Sequence, residues 1–496
     1  MNNLSPKKWN IIFLVYAKLE LDTGDLDETI TKNNSNFLPP QGIPPSLPIE
    51  QEVTFLFNDI IDAGEPQDAH VFVIYNRVDI EHRSDRTALY QLQTQNETGL
   101  VLQRIYQTAN SNITKPEIII SLFRDTDKIN PAKHRVLFTW DHGSIFGIAQ
   151  GDNLPADFTA VKEQYQVRTK EINGKEWVVT LKGNQAYNRY WDKTNQKRNP
   201  FIADACKSMQ RLPSTSLIHE ILTNEELAQA IAEGFDNHQV DVLVMMNCCM
   251  MNVNTIYALY NKSAARYMIA PQSEINFPSY NYLQILKEIY NHPEIDPFLL
   301  SKYVIKTLSQ KRSFPRDYNF IYNTKFWAIL CIDIQQFTKV IYLIKEVIKE
   351  LTIQIQTSDI SGIVNKLNAC YRFDSYRVGL SDYMIDLNTF LFLCRDLSTE
   401  IYRIHSELEH HLNQLIVDSF IGPSLFPIDN PTNDFRENLK PSGICIFFPR
   451  SKEYLEADIF QSFIAENSLS RSAFFSDIPW LNLVCKFISL VNGAVT

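Results

Sequence analysis

The sequence predicts an α/β fold with a mainly parallel β-sheet, and two observations support that prediction. Five short runs have the length and composition of strands buried on both faces, because Val, Ile, Leu and Phe follow one another rather than alternate with polar residues. Segments with helical periodicity separate several of these runs, as in successive βαβ units. The five runs are Asn10–Tyr16, Ala69–Tyr75, Arg135–Trp140, Val240–Met246 and Arg266–Ala270.

One helix can be placed from its N-terminal cap. The segment Thr223–Glu233 has a threonine at the capping position and Glu226 three residues later, which is the pattern of a capping box. It leads into the run Val240–Met246, and a second helix is predicted over about Asn252–Tyr260. A helix before and a helix after a buried run support the parallel arrangement of the sheet.

The sequence pattern of the second half of the chain predicts mainly helices. We therefore expect an α/β domain over residues 1–290 and a largely helical region over 291–496. The first domain carries an insertion at about 145–221, and its polar, turn-prone middle (187–200) is typical of an exposed segment. The elements predicted after residue 290 are the helices Phe298–Leu308, Ala328–Leu351 and Asp386–Val417 and one late strand, Gly443–Phe448.

The composition argues against several classes of function. The 496 residues include 47 Lys and Arg against 57 Asp and Glu, so the net charge of −10 does not favour binding to nucleic acid or to an anionic membrane. Glycine occurs only 15 times, and neither GxGxxG nor GxxxxGK[ST] is present, so no phosphate-binding loop is predicted. No stretch approaches the roughly 20 apolar residues of a membrane span.

The cysteines indicate a reducing compartment. The chain has eight of them and no CxxC pair, so neither a zinc site nor a redox dithiol is predicted. The apolar stretch Ile11–Ala17 is followed at once by charged residues, without the small-residue cleavage site of a signal peptide. We therefore expect a cytoplasmic protein whose cysteines are mostly free thiols.

Two of the predicted strands end in reactive side chains. Arg135–Trp140 is followed by His142, and Val240–Met246 is followed by Cys248 and Cys249. Because chemistry in parallel sheets gathers beyond the carboxyl ends of the strands, this is the arrangement of a thiol nucleophile and its acid/base partner. The residues alone equally allow a small buried thiol and a hydrogen-bonded histidine without a chemical role.

Eight segments along the chain occur in an order that is hard to obtain by chance. They are KKWNIIFLVY (7–16), VFVIYNRVD (71–79), HRVLFTWDHGS (134–144), LTNEELAQAI (222–231), VDVLVMMNCCMMNVNTIYAL (240–259), ARYMIAPQSE (265–274), DYMIDLNTFL (382–391) and SGICIFFP (442–449). In these segments the chain resembles the clostripain family of cysteine peptidases. The resemblance implies the caspase-like fold shared with caspases and gingipains, a mainly parallel sheet sandwiched by helices.

The resemblance also implies a catalytic dyad. The family histidine lies after a strand in an [ND]-H-G motif, which His142 matches. The family cysteine lies in a D-A-C-L-M segment before a helix, and two registers are open here. With Cys248 as the nucleophile the following helix aligns, whereas Cys249 aligns Asn247 with the family aspartate but loses most of that helix. We take Cys248 as the nucleophile and keep Cys249 as the alternative.

The implied mechanism is acyl transfer with a backbone oxyanion site. The Cys248 thiolate would attack a peptide carbonyl, and His142 would protonate the leaving amine. The expected oxyanion donors are the backbone N–H groups of Gly143 and Cys248. Cys206 also follows an Asp-Ala pair, but it has no apolar strand before it and precedes the Thr223–Glu233 helix, so we do not take it as the nucleophile.

The chain departs from the family at the substrate pocket. In clostripain relatives an aspartate two residues before the nucleophile helps to form the pocket for Arg or Lys. That position is Met246 here, or Asn247 in the other register, and neither side chain carries a charge. Burying a guanidinium without a carboxylate is costly, so we expect an apolar residue before the scissile bond. Glu274 is the acidic residue that would restore a basic preference.

The sequence thus predicts an intracellular cysteine endopeptidase that acts on protein or peptide substrates. The insertion is an expected site of self-processing, and the resemblance allows a regulatory role in cell death or defence and a calcium site at acidic segments such as Asp22–Asp27. No other cofactor is expected. Two alternatives stay open: an inactive scaffold or binding protein that keeps the fold, and a hydrolase or transferase acting on a non-protein amide.

Overall fold

The protein is built around a ten-stranded β-sheet. The computed structural model describes residues 7–17, 29–30, 48–79, 84–95, 99–109, 113–141, 143–148, 167–172, 175–181, 221–272, 275, 280–309, 328–357, 360–370, 384–421, 442–449 and 472–493. The strands in these ranges are β1 (Lys7–Ala17), β2 (Thr29–Ile30), β3 (Ala69–Asp79), β4 (Ser84–Gln95), β5 (Gly99–Ala109), β6 (Ala132–Trp140), β7 (Gly143–Ser144), β8 (Gly147–Ile148), β9 (Val167–Ile172), β10 (Lys175–Leu181), β11 (Leu222–Thr223), β12 (Val240–Met246), β13 (Ala265–Pro271), β14 (Ala328–Asp333), β15 (Met384–Asp386), β16 (Ile416–Ile421) and β17 (Cys445–Phe447).

The centre of the sheet is parallel. Its strand order is β16-β14-β13-β12-β6-β1-β3-β4-β5-β2. The five strands from β13 to β3 run parallel to their neighbours, and antiparallel strands extend the sheet on both sides. These five are the five apolar runs of the sequence, so the predicted mainly parallel sheet is confirmed. Their carboxyl ends share one edge, where β12 and β6 are neighbours.

Helices cover both faces of the sheet. Alternate residues of β1 point to opposite faces, so the neighbours Phe13 and Leu14 belong to two different hydrophobic cores. The helices are α1 (Pro48–Asp62), α2 (Pro116–Ile129), α3 (Asn224–Gly234), α4 (Val253–Asn261), α5 (Tyr282–Asn291), α6 (Pro297–Thr307), α7 (Phe337–Thr357), α8 (Ile360–Ala369), α9 (Leu387–Cys394), α10 (Thr399–Leu415), α11 (Ala473–Asp477) and α12 (Trp480–Gly493). Buried residues of α1, α5 and α6 form the α1-side core together with one face of the sheet, and those of α2–α4, α7–α10 and α12 form the α2-side core together with the other.

Two of the predicted helices were partly wrong. Ala328–Leu351 begins as the strand β14, and Asp386–Val417 is divided into α9 and α10 and ends in β16. β14 is apolar and fully buried, and a run of this length has the same pattern in a buried strand and in a buried helix segment. The antiparallel strands β4 and β5 were not predicted at all.

The central sheet extends past residue 290. Both β14 and β16 come from the part of the chain predicted as a largely helical region, and they lengthen the sheet beyond β13. The late strand predicted at 443–448 is β17, which pairs with β15 in a separate two-stranded sheet. The predicted division at residue 290 therefore does not coincide with an edge of the sheet. No helix in the described ranges is both long enough and apolar enough to cross a membrane.

A buried histidine, His405, and a partly buried one, His70, make the folded state sensitive to acid. His405 is 4% exposed, its ring lies 5.8 Å from that of Phe392, and burial lowers its pKa. Burial, assisted by the positive charge of Lys7, lowers the pKa of His70 to about 4. The unfolded chain therefore takes up these protons first, and stability is lost as the pH falls from about 6.5 towards 4.

The free energy of unfolding by urea is expected to fall between pH 7.5 and pH 5. The contribution of His70 is about 1 kcal/mol after allowance for its partial exposure. His405→Phe removes the second titrating group and should flatten the pH dependence, whereas His238→Gln, at an exposed position, should leave it unchanged. An unchanged slope in His405→Phe would show that this histidine does not control acid stability.

Candidate active site

Cys248 lies at the carboxyl end of a central strand. β12 is hydrogen-bonded on both sides, to β6 and to β13, so its end is held firmly. The chain then turns through Cys249, which has a φ of +60°, and α4 begins under the cap of Asn252, whose side chain accepts the Thr255 N–H at 2.9 Å. The Cys248 Sγ is partly exposed and lies 3.9 Å from the carbonyl oxygen of Ile275.

The segment after β6 is anchored on both sides of His142. Asp141 is buried at the end of β6, and Gly143 begins β7, where it pairs with Ile148 of β8. β8 in turn pairs with β11 at Leu222. His142 itself lies outside the described residues. The residues on either side of the predicted catalytic histidine, Asp141 and Gly143, are therefore both held in place.

Gly143 packs directly against the backbone of Cys248. A Cβ atom placed on Gly143 would lie 2.6 Å from the Cys248 carbonyl oxygen and 2.8 Å from the Cys248 nitrogen. It would also lie 2.6 Å from the Cβ of Asn247. Such distances exclude any side chain, so only glycine allows this approach. The backbones of the two predicted oxyanion donors, Gly143 and Cys248, are thus brought together.

Asn247 links the ends of β6 and β12. Its Oδ1 accepts the hydroxyl of Thr139 at 2.5 Å, and its Nδ2 donates to the carbonyl oxygen of Asp141 at 3.0 Å. The side chain is fully buried. Sequence reasoning missed this link, although Thr139 is a polar residue in the apolar end of β6 and a buried hydroxyl requires a partner.

The predicted pocket residues Met246 and Asn247 are both buried. Met246 is 2% exposed, points into the α1-side core and accepts the hydroxyl of Tyr282 on its sulfur at 3.1 Å. Asn247 is committed to Thr139 and Asp141. Both side chains thus lie in the interior of this structure, and their assignment to the substrate pocket stays a prediction. Glu274 lies outside the described residues.

The other cysteines of the described chain are mostly buried. Burial raises the pKa of Cys331 and of Cys394 to about 12, and it raises the pKa of Cys445 well above its usual value. A protonated, inaccessible thiol is a poor nucleophile. Among the described cysteines only three have partly or fully exposed positions: Cys248, Cys249 and Cys485. Cys206, which was set aside as a nucleophile, lies outside the described residues.

No metal site is formed by the described residues. Within them, no group of three or more His, Cys, Asp and Glu side chains is placed to hold a metal ion. The acidic segment Asp22–Asp27, named above for calcium, lies outside the described ranges.

A second polar cluster, also missed by sequence reasoning, lies beside the site. The carboxylate of Asp386 is fully buried and accepts the side-chain amide of Gln272, the residue that follows β13. The same carboxylate accepts the backbone N–H groups of Thr389, Ser442 and Gly443. It therefore joins the chain after β13, which leads to Ile275 near Cys248, to two later parts of the sequence.

A profile of the clostripain family matches residues 216–480, which is more than half of the chain. No match was found among curated protein sequences.

Solved structures share the fold. An inactive zymogen C11 protease from Parabacteroides distasonis matches with a TM-score of 0.51 and 11% identity over 97% of this chain and 99% of its own. A secreted C11 cysteine protease from Bacteroides thetaiotaomicron matches with a TM-score of 0.51 and 14% identity over 90% and 94% of the two chains. A structure of a secreted C11 cysteine protease from the same organism, bound to an irreversible peptide inhibitor, matches with a TM-score of 0.50 and 11% identity over 96% and 98%. At these identities the likeness to solved structures shows the fold alone. The family match shows that the chain belongs to the clostripain family and is a cysteine-type endopeptidase.

Proposed function

We propose that the chain cleaves protein or peptide substrates through a dyad of His142 and Cys248. The observation that supports this most directly is the contact of Gly143 with the Cys248 backbone. Gly143 directly follows His142 in the chain, so its contact brings the peptide that carries the imidazole close to the nucleophile. The buried hydrogen bond from Asn247 to the Asp141 carbonyl supports the same arrangement, because these two residues directly precede Cys248 and His142.

The chemistry is acyl transfer in two steps. The Cys248 sulfur attacks the scissile carbonyl carbon, the C–N bond breaks, and the amine leaves with a proton from His142, which gives a thioester. Water, deprotonated by His142, then attacks the thioester carbonyl, and the acid product and the thiol are released. Backbone N–H groups of Gly143 and Cys248 stabilise the oxyanion that forms in each step.

We further propose that the residue before the scissile bond is apolar rather than basic. Met246 and Asn247, which occupy the family's acidic position in the two registers, are uncharged. Neither residue therefore supplies the carboxylate that would pair with a substrate cation. A guanidinium or ammonium group without a carboxylate partner loses its hydration without compensation.

Self-processing between the His and Cys segments is part of the proposal. The segment from 149 to 220 follows β8 and precedes β11 in the chain, and these two strands pair with each other. In a chain cut within this segment, the pairing of β8 with β11 would still hold the two fragments together. The similar structure from Parabacteroides distasonis is an inactive zymogen, which is consistent with activation by cleavage.

A panel of peptidyl electrophiles tests the nucleophile and the preference together. Probes with Leu, Ala, Arg or Lys beside the reactive group are incubated with the full chain, and the adduct is located by mass spectrometry. We expect an adduct on Cys248, formed fastest with the Leu probe and lost in His142→Ala. An adduct on Cys249 would reassign the nucleophile, and strict preference for Arg or Lys would overturn the apolar pocket. A folded protein that reacts with no probe would favour an inactive scaffold.

A further inference from the structure

We propose that Asn247 is a positioning residue that holds the backbone beside His142 against the backbone beside Cys248. The inference rests on the proposed dyad and assigns to this chain a residue that sets its geometry. Asn247 precedes the nucleophile by one residue, and its side chain binds the carbonyl of Asp141, which precedes the histidine by one residue.

The side-chain amide of Asn247 joins β12 and β6 just beyond the last residues that pair through their backbones. β12 and β6 pair through Met246 and Trp140, and no further pair continues beyond them. At the next position Asn247 faces Asp141, and a side-chain hydrogen bond joins them in place of a backbone one. This side chain therefore holds the ends of the two strands together.

The two bonds of Asn247 require an amide. The Oδ1 accepts from the Thr139 hydroxyl, and the Nδ2 donates to a carbonyl oxygen. A carboxylate of the same size can accept from Thr139 but has no N–H for Asp141, and its negative charge repels that oxygen. An apolar side chain leaves the buried groups of both partners without hydrogen bonds. Only asparagine meets both demands in the same volume.

Substitution of Asn247 also distinguishes between Cys248 and Cys249 as the nucleophile. If Cys249 were the nucleophile, Asn247 would stand at the family's acidic pocket position, and Asn247→Asp would be expected to create a preference for Arg or Lys. If Asn247 positions the dyad, the same change breaks the bond to Asp141 and lowers the rate for every peptide. One substitution therefore gives opposite results under the two assignments.

The test compares Asn247→Asp, Thr139→Val and Thr139→Ser with the wild type. We expect Asn247→Asp to lower kcat by about 10- to 100-fold with KM changed less than about threefold, because a small misplacement of catalytic groups costs this much. Thr139→Val should lower kcat less, and Thr139→Ser, which keeps the hydroxyl, should restore it. Asn237→Asp, at an exposed turn before β12, is the matched control.

A second measurement does not depend on turnover. The pH profile for alkylation of Cys248 by iodoacetamide reports the thiolate and its partner, and Asn247→Asp should shift this profile. Wild-type kinetics in Asn247→Asp and Thr139→Val, together with an unchanged alkylation profile, would overturn the positioning role. A gain of cleavage after Arg or Lys would also overturn it and place Asn247 in the pocket. A wild type that no peptidyl electrophile labels would instead refute the proposed dyad, and the alkylation profile would still test the position of Asn247.

Discussion

Cys248→Ala is expected to lower kcat/KM for peptide hydrolysis on the order of 10⁴-fold or more, whereas Cys249→Ala should keep most of the activity. Cys248→Ala removes the attacking sulfur, whereas Cys249→Ala removes the thiol of the next residue, which takes no part in the proposed reaction. Initial rates with a fluorogenic peptide and titration of the reactive thiol measure both effects. Activity that survives in Cys248→Ala and disappears in Cys249→Ala would assign the nucleophile to Cys249.

The surroundings of the two thiols support this expectation. Cys248 packs beside the α1-side core, near the Ile275 carbonyl, and its backbone contacts Gly143. Cys249 is the residue through which the chain turns, on the side of the buried Cys445 in the α2-side core. Its carbonyl accepts the side-chain amide of Asn252, the cap of α4. Cys249 therefore belongs to the turn that supports the site.

The same pair of variants reports on self-processing. If the chain cuts itself between 149 and 220, the wild type should separate into two fragments on a denaturing gel while Cys248→Ala stays intact. Because β8 and β11 pair on either side of the cut, the fragments should elute together under native conditions. Identical intact bands for both proteins would remove self-processing from the proposal.

Local signals in the sequence predicted the centre of the fold well. The capping box at Thr223 forms as expected, with the Glu226 side chain accepting the Thr223 N–H at 2.9 Å and the Thr223 hydroxyl accepting the Glu226 N–H at 3.2 Å. The run Val240–Met246 is a strand with the predicted bounds. These features depend on residues close together in the chain, so their patterns can be seen without the tertiary structure.

Features that depend on distant residues were not predictable in this way. The pattern of β14 also fits a helix, because only its antiparallel pairing with β13 distinguishes it from a buried helical segment. The hydrogen bonds of Asn247 could not be predicted, because its partners, Thr139 and Asp141, are more than a hundred residues earlier. The sequence places His142 and Cys248 at strand ends, but the hydrogen bonds that hold those ends together appear only in the folded chain.

The carboxylate of Asp386 is expected to be the most important single polar group for stability. It accepts N–H groups from Thr389 at 2.8 Å, from Gly443 at 3.0 Å and from the Gln272 side chain at 2.9 Å. Ser442 donates both its N–H and its hydroxyl. Burial raises the pKa of Asp386, and these donors oppose that shift. The Asp386 carboxylate therefore links β15, the 442–443 turn and the end of β13 through hydrogen bonds.

Asp386→Ala is expected to lower the free energy of unfolding by about 3–5 kcal/mol, because the donors around it would stay buried without an acceptor. Urea unfolding measures this loss. Asp386→Asn keeps the volume but turns an N–H towards donors, so it should be destabilised as well. Asp396→Ala is the matched control: it removes the exposed carboxylate of an ion pair with the partly buried Lys366 and should cost less than about 1 kcal/mol. Equal losses in Asp386→Ala and Asp396→Ala would contradict the role of Asp386, because a fully buried acceptor and an exposed carboxylate differ in what their removal leaves unsatisfied.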